Sequence, residues 1–215
     1  MNNTFASPEA RYVLPQFDER TPYGTKTQDP YAKMFSDRVI FLATQVDDTS
    51  ASDIMTQLLV LESLDDRADI KLYINSPGGS MTAMAAIYDT MQYIGPDIQT
   101  ICMGQAASAA AVILAGGTKG KRFILPNSRV MIHQPSAGGT RGQASDIEVA
   151  SAEIKRMKVW MEQTLASHTG QNVETIRKDI SRDKYLTADA ALEYGMVDAI
   201  LPSRKHSNIA SGLAA

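Results

Sequence analysis

Cysteine and histidine are scarce in this chain of 215 residues, which holds one cysteine and three histidines. A single thiol excludes an internal disulfide framework. Cys102 lies in the strand-like IQTICMG and reads as an inert core residue. His133, His168 and His206 lack ligand spacing, so no metal is expected. Runs of positive charge are missing too: 21 Lys and Arg against 24 Asp and Glu leave a net charge of −3. Nothing therefore calls for nucleic acid or an anionic membrane surface. No apolar run approaches the roughly 20 residues that a bilayer-crossing helix needs. The opening MNNTFASPEARYVLPQF has no basic start followed by an apolar stretch, so no secretory leader is expected and a cytoplasmic protein is. The glycines of SPGGS and AGGTKGK match neither the phosphate-loop nor the dinucleotide fingerprint.

What is present is 44% apolar residues, enough for one substantial core. Residues 1–35 carry Pro8, Pro15, Pro22, Gly24 and Pro30 with little periodicity and read as an arm. Beyond it strand and helix patterns alternate. RVIFLA (38–43), IKLYIN (70–75), IQTICMG (98–104), RFILP (122–126) and RVMIH (129–133) have strand character. Helical spacing marks 51–64, where Ile54, Leu58 and Leu61 share a side with Met55 and Leu59, and it recurs at 82–94 before Gly95-Pro96. The spacing is that of βαβ units, so the expected architecture is α/β with a mainly parallel sheet and flanking helices. A long helix follows, with Ser145 and Glu148 as a capping box and Gly170 as its stop. It carries one stripe of Ile147, Ile154, Met157, Met161 and Leu165, and Val149 and Trp160 on another side. Two apolar faces on so long a helix suggest a partner subunit.

One hydroxyl stands out. In GQAASAAAVILAGG (104–117), Ser108 sits among alanines and branched apolar residues at the start of a helix, where an unpartnered polar group costs about 1–3 kcal/mol. A strand–turn–helix junction can expose a nucleophilic serine and aim backbone N–H groups at a developing oxyanion. The alanines would keep the turn tight and admit a substrate backbone. Gly78 and Gly79 of SPGG could aim a second N–H into the same cleft, since loops that follow parallel strands gather on one edge. A serine needs a base near neutral pH, and His133, ending a strand before Gln134-Pro135, is the candidate. His168, in the last turn of the long helix, reads as a cation favoured by the helix dipole. His206 reads as solvated. Ser76 and Ser80 read as turn and N-cap residues. For a carboxylate partner, Asp179, Asp183 and Asp198 compete, and spacing does not choose among them.

These residues, in this order, resemble the proteolytic subunit of the Clp protease, ClpP. The resemblance runs from about Arg11 to Leu201 and rests on DRVIFL, LYINSPGG, IYDTMQYI, GQAASAAA, MIHQP, HTGQ and RDKYLTA…EYGMVD. It implies the crotonase-like fold with a protruding handle helix, and a serine endopeptidase built as two stacked heptameric rings around a chamber. It implies Ser108 as nucleophile, His133 as general base and Asp183 as its partner. The oxyanion donors fall on the N–H groups of Gly79 and Ala109, and a ring-bridging arginine falls on Arg182. Members dock a hexameric ATP-driven unfoldase that delivers unfolded protein. The matching apolar positions are Tyr73, Tyr93, Ile101, Met103, Phe123, Leu125 and Leu201, with Lys71 where many relatives have an aromatic residue. No cofactor is implied in this chain, since the unfoldase uses the ATP.

The resemblance divides the chain into a propeptide and axial arm (1–35), the peptidase domain (36–202, handle about 136–170) and a C-terminal tail (203–215). Propeptide cleavage near residues 10–12 is expected, and the loop SAGGTRGQ (136–143) would receive substrate as an added strand. RYVLP and GQAASAAAV look most similar to the second of two paralogues in bacteria whose active assembly mixes rings, so the partner ring is a second copy or a paralogue. The terminal Leu213-Ala214-Ala215 resembles the end of tags that Clp unfoldases recognise, although a frayed tail is the simpler reading. Two rival readings are a silent ring subunit supporting a paralogue, which would not need an intact triad, and a crotonase-like acyl-CoA enzyme, for which no CoA signature is present.

Overall fold

A computed structural model describes residues 15–22, 24–136 and 142–203. The expected propeptide and its cleavage site, most of the loop 136–143, His206 and the terminal Leu-Ala-Ala lie outside the described residues. The chain divides after Arg38 into two compact units. The described residues of the first hold more secondary structure than their sequence suggests. Strands β1 (Phe17–Thr21) and β2 (Gly24–Gln28) pair antiparallel, and α1 (Pro30–Ser36) follows. Polar cross-strand bonds join the strands, Thr27 to Asp18 at 2.6 Å and Gln28 to Glu19 at 2.7 Å, so no apolar alternation marks them. Asp29 caps α1, accepting from the Ala32 N–H at 2.8 Å, with Pro30 in the first turn.

The second unit is α/β. Parallel strands β3 (Val39–Leu42), β4 (Ile70–Ser76), β5 (Ile98–Ala107), β6 (Arg122–Ile124) and β9 (Ala199–Ile200) form the main sheet in that spatial order. Strand β5 is the pivot. Its first half, Thr100–Cys102, pairs with β6, and its last residues, Gln105–Ala107, pair with β7 (Arg129–Ile132). Strand β8 (Lys184–Thr187) then adds antiparallel to β7. The sheet therefore forks, and the fork carries the edge where β5, β7 and β8 meet.

Helices cover the sheet. In α2 (Asp48–Leu64), Ala51, Ile54, Leu58 and Leu61 face the core, one every three or four residues, whereas Leu59 is 44% exposed. α3 (Met81–Tyr93) buries Ala83, Met84, Ile87 and Met91. All seven residues of α4 (Ala109–Ala115) are buried, so it has no solvent face. Its C-terminal carbonyls are taken up by side chains, Leu114 O by the Thr100 hydroxyl at 2.8 Å and Gly116 O by the Gln92 amide at 2.8 Å. Helices α6 (Val173–Asp179) and α7 (Ala188–Tyr194) flank β8 in sequence.

The long helix is α5 (Ala144–Thr169). It begins one residue before the expected Ser145–Glu148 box. Asp146 reaches back instead to the N–H of Gln143, at 3.1 Å, because the helix starts at Ala144 and puts Asp146 in the third position. Gly170 ends it in a left-handed conformation, as expected. Only its C-terminal part buries side chains, including Met161 and Leu165, while every residue from Ala144 to Val149 is exposed. Ile147 and Val149 are among them, so the apolar start of this helix has no cover within the described chain.

Arg122 ties the sheet to the ends of two helices. It is 3% exposed, forms a two-pronged pair with Asp198 (Nε to Oδ2 2.9 Å, Nη2 to Oδ1 2.6 Å) and donates to the carbonyl of His168 at 2.9 Å. Burial opposes ionisation of Asp198, but Arg122 and two backbone N–H groups outweigh it and hold its carboxyl below the ordinary value. This contribution to stability is present above the ordinary carboxyl value and is lost as pH falls through the lower, folded one. Arg122→Met would leave Asp198 partly buried without its cation, and chemical unfolding at fixed protein concentration should show a loss of about 3–5 kcal/mol.

Candidate active site

The end of β5 places Ser108. Its N–H donates to Met131 O on β7 at 2.8 Å, continuing the β5–β7 pairing one residue past the strand. It then turns sharply into α4 with φ 56° and ψ −121°, one of two non-glycine residues with positive φ among those described. Such a conformation costs on the order of 1–3 kcal/mol and persists only where the surroundings impose it. Ser108 is the N-cap of α4 by position, yet its hydroxyl caps nothing. It donates instead to His133 Nε2, at 2.8 Å.

His133 follows the last residue of β7. Its Nδ1–H donates to Asp183 Oδ1 at 3.0 Å, the tautomer that an ionised carboxylate requires. Asp183 directly precedes β8, where Lys184 pairs with Ile132, so the antiparallel register brings it beside His133. Neither rival carboxylate competes. Asp198 is taken by Arg122, and Asp179 pairs with Lys184 at 2.9 Å and accepts from the Tyr194 hydroxyl at 2.9 Å. Ser76 and Ser80 hold the structural roles expected of them: Ser76 accepts from the Gly78 N–H at 3.1 Å, and Ser80 caps α3.

The glycine pair packs against this junction. A Cβ on Gly78, where φ is +85°, would lie 2.8 Å from Ser108 Cβ and 3.0 Å from Ala109 N, and one on Gly79 would collide with Val46 O. Val46 clasps the segment from the other side, its N–H donating to Gly78 O at 2.9 Å and its carbonyl accepting from Ser80 N–H at 2.8 Å. That leaves the N–H of Gly79 with no protein acceptor among the described residues. The N–H of Ala109, in the first turn of α4, has no intrahelical acceptor either.

Two sequence readings change here. The alanines beside Ser108 do not line an opening. Ala109, Ala110, Ala111 and Ala115 are at most 1% exposed, so they are small because α4 is enclosed on every side. His168 is not a cation at the helix end. Burial, helped by the nearby Arg122 charge, pushes its pKa down, and its Nε2 shares a 2.7 Å hydrogen bond with the Tyr88 hydroxyl. Cys102 is fully buried, and burial pushes its thiol up to about 12.

The apolar positions on the exposed side of the sheet form a row. Register pairs Tyr73 with Ile101 and Ile101 with Phe123. Met103 is exposed, Ile101 is buried, and Tyr73, Phe123, Leu125 and Leu201 are half-buried. Tyr93, at the end of α3, is 82% exposed. Sequence reading misses Phe41, which pairs with Tyr73 in register and stacks on its ring at 5.6 Å. Its only signal is its place in DRVIFL, where the core run hides a residue facing outward. Arg182 is exposed and joins no ion pair among the described residues.

A family model described as Clp protease matches residues 22–204. The chain belongs to the Clp protease family. Among its Clp relatives is the ATP-dependent Clp protease proteolytic subunit 1 of Corynebacterium glutamicum, 64% identical over 205 residues, covering 95% of this chain and 99% of the relative. The proteolytic subunit 2 of Corynebacterium jeikeium is 62% identical over 200 residues, covering 93% and 96%. The proteolytic subunit 1 of Bifidobacterium longum is 62% identical over 199 residues, covering 93% and 85%. Clp relatives of near-equal identity thus carry both subunit numbers. The α/β architecture and mainly parallel sheet are those of the Clp fold.

In this Clp chain a Cβ on Gly78 would collide with Ala107 O and crowd Ser108 Cβ at 2.8 Å. Gly78→Ala should displace Ser108 and lower peptide hydrolysis at least tenfold while far-ultraviolet circular dichroism stays unchanged.

Proposed function

We propose that this chain is the serine endopeptidase subunit of an ATP-dependent Clp protease, cleaving unfolded proteins delivered by a hexameric ATP-driven unfoldase. The observation that carries this is the continuous relay from Ser108 Oγ through His133 to Asp183, at 2.8 and 3.0 Å. Ser108 Oγ attacks the peptide carbonyl carbon as its proton passes to His133 Nε2. Asp183 holds the imidazole in the required tautomer and stabilises its cation. The oxyanion is received by the N–H groups of Gly79, which has no protein acceptor among the described residues, and Ala109, which has none within its helix. Collapse of the tetrahedral intermediate expels the amine, which takes the proton from His133 and leaves an acyl-serine. Water, deprotonated by the same histidine, then releases the new carboxylate and restores Ser108. No cofactor takes part in this chain, and ATP is used by the unfoldase.

The working assembly is two stacked heptameric rings, of this chain alone or with a paralogue, in the cytoplasm. The uncovered apolar start of α5 supports a role as the handle between rings, and Arg182 beside Asp183 is suited to a ring contact that reports on the triad. The row of Tyr73, Ile101, Met103, Phe123 and Leu125, with Tyr93, Leu201 and the adjacent Phe41, is the proposed docking surface for the unfoldase. A silent supporting subunit is the poorer reading, because such a subunit has no need of a serine held at positive φ and aligned with a base.

Hydrolysis of a fluorogenic peptide, assayed for the chain alone and with a paralogue ring and unfoldase, tests the reading. Ser108→Ala should abolish the hydrolysis that this chain contributes, and Asp183→Asn should lower its kcat by about 10²–10⁴. Hydrolysis that survives Ser108→Ala would contradict it. Tyr73→Ala should spare peptide hydrolysis and remove ATP-dependent degradation of a protein substrate.

A further inference from the structure

Asp183 is weakly held by its own side chain. Its carboxylate is 54% exposed, and its one hydrogen bond among the described residues is to His133. It stands in the short connection of residues 180–183, between the end of α6 and the start of β8. Its position therefore depends on what fixes the two ends of that connection.

Both ends are tied by one cluster. Asp179, the last residue of α6, receives the Lys184 ammonium on Oδ2 at 2.9 Å, and Lys184 is the first residue of β8. The ion pair thus closes the connection from one end to the other. Tyr194, from α7, donates its hydroxyl to the same Asp179 oxygen at 2.9 Å, and the Lys184 ammonium lies 5.1 Å from the centre of its ring. Burial opposes the charge on Asp179, yet Lys184 and Tyr194 outweigh it and hold the carboxyl below its ordinary value. Gln134 clasps the opposite side of the connection, its N–H donating to Ile180 O at 2.7 Å and its side-chain amide to Ser181 O at 3.4 Å. Lys184 pairs in register with Ile132, so any displacement of Lys184 moves Asp183 along the strand relative to His133.

We infer that Asp179, Lys184 and Tyr194 are positioning residues of the peptidase reaction, a three-element clamp that holds Asp183 at hydrogen-bond distance from His133. The inference rests on the proposed triad and deepens it. The clamp residues touch no reacting atom; they act through Asp183 alone. A misplacement of about 1 Å in a catalytic constellation costs on the order of 10²-fold in rate, so a modest loosening is enough to register.

The test is a double-mutant cycle on the complete assembly, read as kcat and KM of peptide hydrolysis with assembly mass checked for each variant. Lys184→Met keeps the stem and removes the charge. It should lower kcat about tenfold or more with KM little changed, and Lys184→Arg should recover most of that loss. In an Asp183→Asn background, Lys184→Met should cost nothing further, because the group it positions is already disabled. Tyr194→Phe removes a single hydroxyl and should show a smaller loss with the same non-additivity, which serves should Lys184→Met fail to assemble. Equal losses in both backgrounds, a rise in KM with kcat unchanged, or no recovery with arginine would overturn the clamp. Should Asp183→Asn itself leave kcat unchanged, the triad reading fails and the clamp falls with it, an outcome distinct from additivity.

Discussion

The exchange of hydrogen-bond partners along β5 is the constraint on which the rest of this structure depends. Up to Cys102 the strand pairs with β6, and from Gln105 it pairs with β7. That exchange brings the end of β5 beside the end of β7, and the Ser108 N–H closes the pairing on Met131 O. Strand β8 is then added antiparallel, with Ile132 opposite Lys184. Ser108, His133 and Asp183 each stand one residue outside a strand, on three neighbouring strands. Backbone register does most of the alignment, and the side chains need only take the rotamers that reach.

The same junction stores strain and keeps it in place. Positive φ at Ser108 is unfavourable for a side chain with a Cβ. Enclosure resists its relief: α4 is buried along its whole length, and Gly78 approaches so closely that no side chain fits between. Relaxation of the serine toward an ordinary cap would require moving a core helix. The turn leaves the Ala109 N–H without an intrahelical acceptor, and the Val46 clasp leaves that of Gly79 without a protein acceptor among the described residues, so two separate backbone segments would supply the proposed oxyanion donors.

Much of this was legible in the sequence. Strand and helix periodicity located the main elements within a few residues, and the GQAAS and MIHQP segments marked the serine and the histidine that the fold brings to hydrogen-bond distance. Other features had no local signal. The extra length of β5 reads as the turn after the strand because Gln105–Ala107 are small or polar, and only pairing with β7 makes them strand. Spacing left Asp179, Asp183 and Asp198 open and only the resemblance chose Asp183; the physical reason, that Lys184, Tyr194 and Arg122 occupy the other two, is a fact of tertiary contact. The β1–β2 hairpin is joined by polar bonds and so lacks alternation. His168 stands where a cation is favoured by the helix dipole, but burial prevails over that modest effect. Phe41 sits within a core run, and its outward face emerges only from its stacking on Tyr73.

The central claim is that Ser108 owes its nucleophilicity to His133. Labelling of the assembled protein with a serine-reactive fluorophosphonate, located by peptide mass spectrometry, tests it most directly. The account predicts a single adduct on Ser108 in the wild-type assembly and its loss in His133→Ala. An adduct on another serine, or undiminished labelling of Ser108 without the imidazole, would contradict it.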